Sequence, residues 1–296
     1  MCGTCGTHGE AGGTVDDRGS RIVVVGKGGV GKSTLTALIA RIAARDGAHV
    51  LAVDADEQRN LGATLGLGYE ELAACTPVAS QADYIEEKTG ARPGEGAGGM
   101  LRLNPDTSDL VDRLSLTGPD GVRLLVMGGV QQAGGGCLCP EHALLSAAVA
   151  GMRLREDQVV VMDTHAGVEH FGRALARGFD TALVVVEPAF NATQVGWDTA
   201  RLARELGIGD IHLVVNRSRS PRDTDDVLDM VDRFGGFGFA RTWSLPFDGS
   251  APTTDPSVDG LLAGSELADA VSDLVRHLRD PAPGHTHPQP VGAVRV

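Results

Sequence analysis

Aromatic residues are scarce in this sequence, at 4% of 296 residues, although apolar residues make up 42%. The core must therefore consist mostly of Val, Leu, Ile and Ala, which is typical of a parallel sheet covered by helices. No apolar run is long enough to cross a bilayer, and the chain does not open with a charged segment followed by an apolar one. We therefore expect a cytoplasmic protein without membrane spans.

Positive charge is also in short supply. Lys and Arg number 26 against 39 Asp and Glu, so the formal net charge is −13 and the sequence pI is about 5.1. An acidic surface repels phosphate backbones and anionic lipid head groups. The composition therefore argues against a nucleic-acid or membrane-surface partner.

Cysteines are few, but four of the five form two close pairs. Cys2 and Cys5 lie at the N-terminus, and Cys137 and Cys139 lie in the middle of the chain, whereas Cys75 stands alone. In a cytosolic protein of this size, close pairs indicate metal or redox chemistry more than structural disulfides.

Short apolar runs alternate with segments of helical periodicity. The predicted strands are 21–25, 49–53, 122–127, 158–162, 181–186 and 211–215, with an edge strand at 241–245. The predicted helices are 33–45, 141–150, 169–177, 193–206 and 265–279, and 87–99 is predicted to be a loop. This alternation predicts an α/β fold with a doubly wound, mostly parallel sheet and helices on both faces. Ligands bind such sheets beyond the carboxyl ends of the strands.

A glycine-rich loop joins the first predicted strand to the first predicted helix. It has the spacing of a phosphate-binding P-loop, Gly26-Lys27-Gly28-Gly29-Val30-Gly31-Lys32-Ser33, followed by Thr34. The glycines allow successive N–H groups to turn toward one point, and the helix N-terminus adds partial positive charge. Lys32 would bind the β- and γ-phosphates, and the Ser33 hydroxyl would coordinate Mg²⁺. The sequence therefore predicts a P-loop nucleotide hydrolase.

Acidic residues end two further predicted strands. Asp54 and Asp56 follow the second strand, and Asp163 follows the apolar run Val159–Met162 in the pattern of a Walker B strand. A carboxylate in this position can hold Mg²⁺ through water or orient the attacking water. Asp163 is expected to contact Mg²⁺, and the backbone N–H of Gly167 is expected to sense the γ-phosphate.

The base is expected beside Asn216, at the end of another strand. P-loop GTPases of related type have an Asp that reads guanine where this chain has Arg219. Guanine is therefore not favoured, whereas the Asn216 amide can bond the N6 and N7 edge of adenine. Pro246 and Phe247, after the last strand, are expected to cover the face of the base.

Lys27, inside the loop, makes the sequence resemble the deviant Walker A class, which includes MinD/ParA-type ATPases, the nitrogenase iron protein and metal-insertion ATPases. The resemblance implies that Lys27 reaches the nucleotide of a partner protomer, and hence an ATP-dependent homodimer. It also implies that Asp56 orients the attacking water, which leaves Asp54 near the Mg²⁺ shell. Lys27, Lys32 and Asp56 are the expected catalytic residues.

Cys137 and Cys139 point to one family within the deviant Walker A class. A Cys-x-Cys pair offers two thiolates, and a twofold dimer would supply four, which suits Zn²⁺ or, if square planar, Ni²⁺. With the run Asp163-Thr164-His165-Ala166-Gly167-Val168-Glu169-His170, the sequence is similar to the carbon monoxide dehydrogenase nickel-insertion (CooC-type) ATPases over roughly residues 21–250. His165 departs from that family, in which we expect an acidic residue there.

The N-terminal residues 1–20 are read as a flexible extension that carries a second possible metal site. They resemble the Cys-x-x-Cys-Gly-Cys tag of hydrogenase nickel-insertion GTPases, with Thr7 in place of the third cysteine. Cys2, Cys5 and His8 are the candidate ligands. Residues 21–280 are expected to form one ATPase domain, and the Pro- and His-containing residues 281–296 a disordered tail.

The sequence thus predicts an ATP-driven metallochaperone for a nickel metalloenzyme. The alternatives are a MinD/ParA-type positioning ATPase, a regulatory ATPase with redox-sensing cysteines, and a reductase like the nitrogenase iron protein. The mixed charge of the closing helix argues against the first, since such proteins usually carry a basic surface or helix. No cysteine follows Asp163, which argues against the reductase.

Overall fold

The computed structural model describes residues 19–92, 102, 106–128, 144, 152, 154–165, 178–249 and 256–279. Residues 1–18 of the predicted N-terminal extension, the tail 281–296 and the predicted helix 169–177 lie outside these residues, as does nearly all of the predicted helix 141–150. The extension was predicted to reach residue 20, but Ser20 already belongs to the first strand.

The described strands form an eight-stranded sheet in the order β3-β4-β2-β5-β1-β6-β7-β8. All neighbours pair in parallel except β3, which pairs antiparallel with β4 at one edge. The doubly wound, mostly parallel sheet predicted from the sequence is therefore confirmed. The strands are β1 Ser20–Gly26, β2 His49–Ala55, β3 Leu116–Thr117, β4 Arg123–Val126, β5 Gln158–Thr164, β6 Thr181–Val186, β7 Asp210–Ser218 and β8 Thr242–Pro246.

Helices connect the strands and cover both faces of the sheet. They are α1 Lys32–Arg45, α2 Leu61–Leu65, α3 Tyr69–Ala74, α4 Ala82–Thr89, α5 Leu110–Leu114, α6 Phe190–Glu205, α7 Pro221–Arg233, α8 Asp259–Leu262 and α9 Glu266–Arg279. None of the helices in the described ranges combines the length and the apolar character needed to span a bilayer.

Alternate residues of each strand point into two separate cores. In β1, Ile22 and Val24 pack on the side of α1 and α9, whereas Val23 and Val25 pack on the opposite side, which α6 covers. Burial on both faces explains why the strands are continuous apolar runs rather than alternating ones.

The central position of β1 determines where ligands can bind. Its neighbours are β5 on one side and β6 on the other. The chain runs from β1 to β2 on the β5 side, and later crosses from β5 to β6 on the other side, so the strand order reverses at β1. A crevice forms at the carboxyl ends of strands at such a point. The glycine-rich loop after β1 therefore lies where an α/β sheet binds ligands.

One loop prediction and one helix boundary need correction, and a long helix was not predicted. The segment predicted as a loop from Glu87 begins inside α4, which continues to Thr89 because Tyr84 and Ile85 are buried against the sheet. Helix α6 begins at Phe190 rather than Thr193. Helix α7 was not predicted, although Ser220, Pro221 and Asp223 carry the signature of a capped helix start.

A buried arginine ties α1 to three other segments on the α9 side of the sheet. Arg41 is 3% exposed and donates to the Leu65 carbonyl at the end of α2 at 2.6 Å. It also pairs with Asp120, and with Asp259 at 3.0 Å, at the start of α8. Arg45 pairs with the same Asp120 at 2.9 Å, but its side chain is 42% exposed.

This difference in burial predicts different effects for two neighbouring substitutions. Arg41→Met should lower the free energy of unfolding by about 3 kcal/mol, because it leaves buried polar groups without a partner. Arg45→Met removes an exposed pair and should cost less than about 1 kcal/mol. Urea unfolding of the two variants measures the difference, and equal losses would contradict the role given to Arg41.

The pH dependence of the Arg41→Met effect offers a second readout. Burial alone would raise the pKa of Asp120, but hydrogen bonds from Arg41 and Arg45 outweigh it and lower that pKa below the usual 3.8. A lowered pKa in the folded chain stabilises the fold above the ordinary value, and this effect disappears as the pH falls through the lowered one. The gap between parent and variant should therefore shrink in acid.

Candidate nucleotide-binding site

The backbone of the glycine-rich loop adopts conformations that only glycine accepts easily. Gly26, Gly29 and Gly31 have φ angles of 146°, 83° and 95°. A Cβ on Gly26 would lie 2.2 Å from the Val185 carbonyl oxygen, so β6 packs directly against the start of the loop. The loop can therefore curve tightly between β1 and α1.

Lys32 begins α1 and directs its charge back into the loop. Its ammonium donates to the Lys27 carbonyl at 3.2 Å, and the residue is 6% exposed. Burial lowers the pKa of Lys32, and the nearby carboxylates of Asp163 and Asp56 oppose that shift. A cation held at a helix N-terminus among backbone N–H groups is suited to bind phosphate.

Asp163 lies beside this lysine at the carboxyl end of β5. Its Cα pairs with that of Asp54 across the β2–β5 ladder, so the two carboxylates share one face of the sheet. Both residues are fully buried. Burial raises the pKa of Asp163 to about 6, and burial together with the Asp163 charge raises that of Asp54 to about 7.

The two carboxylates differ in their partners. Asp54 Oδ1 accepts the Asp56 N–H and Oδ2 accepts the Leu61 N–H, both at 3.1 Å, so Asp54 holds the loop between β2 and α2. Asp163 makes no such backbone contacts to a loop: its oxygens lie near the Ser33 hydroxyl and the Lys32 ammonium, which lower its pKa but do not outweigh burial. A buried carboxylate of this kind is costly unless a cation compensates it.

Asp163 therefore fits the Mg²⁺ that a bound nucleotide would bring. Its hard oxygen ligands suit that ion, which commonly takes one or two carboxylates together with phosphate oxygens. Ser33, at the first turn of α1, is placed to supply the hydroxyl ligand. Asp54 would act on the ion indirectly, by holding the loop that carries Asp56.

The loop after β2 brings Asp56 to the same place. Asp56 is 9% exposed, and its Oδ1 accepts the Gln58 N–H at 2.9 Å. Arg59, further along, has a φ of 54°, which is unusual for a residue with a Cβ. The turn that carries Asp56 is thus held by hydrogen bonds at its start and strained at its centre.

These elements enclose a cleft of about 650 Å³, large enough for the phosphates and sugar of a nucleotide. Its far wall, Pro256, Ser257, Val258 and Leu261, was not anticipated from the sequence, because only tertiary packing brings it to α2. The Val258 N–H donates to the Thr64 carbonyl at 3.0 Å. The other lining residues are Gly28, Gly29, Gly31, Lys32, Ser33, Thr34, Asp56, Gln58, Asn60, Ala63, Thr64 and His165.

Asn216 touches the loop from the opposite side to this cleft. It is 9% exposed, and its amide donates to the Val30 carbonyl at 2.8 Å. A Cβ on Gly31 would lie 2.5 Å from the Asn216 amide nitrogen. Asn216 therefore anchors the loop to β7, a structural contact that sequence reasoning missed. Its amide oxygen is not engaged in this contact.

Pro246 and Phe247 lie at the end of β8 and do not line the cleft described above. The Phe247 ring is 45% exposed, and the Arg219 guanidinium lies 4.3 Å from its centre. The arginine that replaces a guanine-reading Asp thus supports an exposed aromatic ring. Such a ring is available to stack on a base.

Several predicted site residues lie outside the described residues, so their roles remain predictions. They are Gly167, Cys137, Cys139, Cys2, Cys5 and His8. Within the described ranges, no group of three or more His, Cys, Asp or Glu residues is arranged to hold a metal ion.

The buried carboxylate of Asp163 leads to a prediction. Asp163→Asn should weaken Mg²⁺-dependent ADP binding at least about tenfold, since it removes the anionic ligand. The same variant should stay close to the parent in stability without ligands, because removing a buried carboxylate charge is offset by losing its attraction to the buried Lys32 ammonium.

Calorimetric titration of ADP with and without Mg²⁺ measures the first effect, and thermal unfolding measures the second. Asp157→Asn, in the turn before β5 with its carboxylate 46% exposed, is the matched control and should change neither. An Asp163→Asn protein that keeps the full Mg²⁺ dependence would show that this carboxylate does not serve the ion.

Comparison with known proteins agrees with this geometry. Residues 22–280 match the family described as the CobQ/CobB/MinD/ParA nucleotide binding domain. The chain is 37% identical over 235 residues to the carbon monoxide dehydrogenase accessory protein CooC of Rhodospirillum rubrum, covering 79% of this chain and 86% of that protein. It is 35% identical over 211 residues to an uncharacterised ATP-binding protein of Methanocaldococcus jannaschii, covering 71% and 79%.

Solved structures share the fold at lower sequence identity. A ParA family ATPase from Chlorobium tepidum superposes with a TM-score of 0.63 at 18% identity, over 88% of this chain and 99% of that one. The MinC:MinD cell division protein complex of Aquifex aeolicus gives a TM-score of 0.61 at 21% identity, over 88% and 95%. With its P-loop, its mostly parallel sheet and these relatives, the chain belongs to the CobQ/CobB/MinD/ParA nucleotide-binding family and, within it, to the CooC type.

Proposed function

We propose that the protein is an ATP-hydrolysing metallochaperone that works as a homodimer and delivers a metal, Ni²⁺ or Zn²⁺, to a client metalloenzyme. The observation that carries the ATPase part is the cleft in which Lys32, Ser33 and Asp56 meet beside the buried Asp163. The accessory role rests on the likeness to CooC, whose name links it to carbon monoxide dehydrogenase. A nickel enzyme of that kind is the client we expect.

The proposed hydrolysis uses residues already in place around the cleft. Water attacks the γ-phosphorus, the bond to the β–γ bridging oxygen breaks, and ADP and phosphate leave. Asp56 would orient the attacking water, and Lys32 would offset charge that develops on the phosphate oxygens. The Mg²⁺ would be held by Ser33 and Asp163, with Asp54 close by. The N–H of Gly167 would contact the γ-phosphate and be released on hydrolysis.

The adenine base is proposed to lie on the β7–β8 side of the loop. Asn216 has an amide oxygen that its bond to Val30 leaves available, and Phe247 presents an exposed ring. Pro246 precedes that ring at the end of β8. These contacts would favour ATP over GTP, because Arg219 replaces the carboxylate that would read guanine.

Dimer formation is proposed to depend on Lys27. The residue lies in the loop next to exposed Gly28 and Gly29, and its carbonyl, rather than its ammonium, serves Lys32. The Lys27 side chain is partly exposed, and its ammonium would approach the nucleotide of a partner protomer. Two such contacts would make ATP the bridge between the protomers.

The transported metal is proposed to sit where two protomers meet. Cys137 and Cys139 from each would give four thiolates, a set that holds Zn²⁺ in tetrahedral and Ni²⁺ in square-planar geometry. ATP-driven closure would bring the pairs together, and hydrolysis would separate them. Cys2, Cys5 and His8 would form a second site for the same metal.

The cysteine proposal predicts the metal content of the ATP-bound dimer. In a parent protein that carries Cys2→Ser and Cys5→Ser, so that the N-terminal site is removed, the dimer should carry one Ni²⁺ or Zn²⁺ per two chains. Adding Cys137→Ser with Cys139→Ser should leave close to none, because hydroxyls do not replace thiolates as ligands for these metals. Inductively coupled plasma analysis of dimer isolated by gel filtration measures the ratio. Cys75→Ser is the control and should match the parent. Unchanged metal in the double variant would refute the interface site.

The Lys27 proposal predicts that nucleotide binding and dimerisation can be separated. Lys27→Ala should bind ATP with nearly the parent affinity but remain a monomer and hydrolyse it at least tenfold more slowly, as is common when a transition-state cation is removed. Lys32→Ala should lose binding itself. Light scattering and phosphate release report the two properties. A Lys27→Ala protein that dimerises and hydrolyses ATP like the parent would exclude the cross-dimer role.

A further inference from the structure

A second cavity lies at the end of the sheet opposite to the nucleotide cleft. It has a volume of about 360 Å³ and is formed where the start of β8 meets the last turns of α9. Its lining residues are Arg241, Trp243, Asp273, Arg276 and His277. None of the residues given a role in nucleotide or metal binding belongs to this set.

The wall of this cavity is rigidly held. The indole N–H of Trp243 donates to Nδ1 of His212 at 3.2 Å, and Nε2 of His212 lies 3.0 Å from Asp210 Oδ2. Because Nδ1 accepts, Nε2 carries the proton and donates it to the aspartate. Trp243 is 8% and His212 is 1% exposed, so this buried chain of two hydrogen bonds fixes the indole ring in place.

The charge of the cavity lining differs in sign from the net charge of the whole chain. The protein carries a formal charge of −13, yet two guanidinium groups and an imidazole surround this space with one carboxylate. The Arg241 guanidinium lies 4.0 Å from the centre of the Trp243 ring and is exposed, and it pairs with no carboxylate among the described residues. Arg276 pairs with Asp273 at 2.7 Å.

From this arrangement we propose that the cavity binds a phosphate group, either free phosphate or the phosphate of a small phosphomonoester. Planar guanidinium groups bind phosphate oxygens through paired N–H bonds, and the ring beneath Arg241 holds one of them in orientation. Because Arg276 is paired with Asp273, the net charge of the two arginines and this carboxylate is +1, and Arg241 supplies the charge that attracts an anion. The cavity volume is at the lower end of the range for small-molecule sites.

The site is remote from the P-loop and would act separately from it. Arg241 precedes β8, whereas the base-side residue Pro246 ends that strand, so the strand separates them by about 16 Å at about 3.3 Å per residue. A phosphate bound here would therefore be distinct from the phosphates of ATP. This proposal does not depend on the metallochaperone function.

Trp243 provides a local reporter for the test. The chain contains two tryptophans, so a Trp197→Phe protein emits from Trp243 alone. Its fluorescence is titrated with inorganic phosphate, phenyl phosphate and, at equal ionic strength, sodium acetate. Isothermal calorimetry of a Lys32→Ala protein, in which P-loop binding is suppressed, is the second measurement and does not require Trp197→Phe to fold.

Opposite effects are expected from neighbouring substitutions. Arg241→Gln should raise the Kd for phosphate at least about tenfold, and Asp273→Asn should lower it, because it removes the anion and releases Arg276. Arg222→Gln is the matched control, since that side chain is 85% exposed on α7 and far from the cavity, and it should leave the Kd unchanged.

Saturable binding of either phosphate probe with this pattern supports the site. Tighter binding of phenyl phosphate identifies a phosphomonoester, and equal binding identifies free phosphate. No saturable response to either probe, equal binding of acetate, or equal effects of Arg241→Gln and Arg222→Gln would overturn the proposal.

Discussion

Buried charge at the carboxyl edge of the sheet is the constraint on which the rest of this structure depends. Asp54, Asp56 and Asp163 are all at least nine-tenths buried, and the described charge that opposes them most directly is the buried ammonium of Lys32. Burial is the main cause of the raised pKa values of Asp54 and Asp163, and repulsion between the carboxylates adds to it. A divalent cation with an anionic phosphate chain would relieve that repulsion, since the cation meets the carboxylates and the phosphates meet Lys32.

The fold holds these charges in place through backbone geometry rather than through other charges. In-register parallel pairing sets Asp54 against Asp163, and Asp54 uses both oxygens to hold the turn that carries Asp56. On the other side of the loop, Asn216 fixes the Val30 carbonyl. Arg41 joins α1 and α2 to the segment that begins α8, which forms the far wall of the cleft. The turn carrying Asp56 is thus connected to that wall through α2 and Arg41.

Local patterns were sufficient to predict most of the sheet and the phosphate loop. The P-loop glycines, Lys32 and the terminal Asp163 follow from spacing alone, because each depends on residues adjacent in the chain. The far wall at Pro256–Val258 and the anchoring role of Asn216 depend on contacts between distant segments, which spacing does not encode. Helices α2 to α5 were also missed, since they are short or mostly polar and their few apolar residues show little periodicity.

The central claim is that ATP and a metal together join two protomers. The most direct measurement is native mass spectrometry of a Cys2→Ser, Cys5→Ser protein, which lacks the proposed N-terminal site, with Ni²⁺ or Zn²⁺, first with ADP and then with ATP and Mg²⁺ under conditions that slow hydrolysis. The account predicts a metal-free monomer with ADP, and with ATP a dimer that contains two nucleotides and one Ni²⁺ or Zn²⁺ ion. A dimer that forms without ATP, or an ATP-bound dimer that never retains the metal, would contradict it.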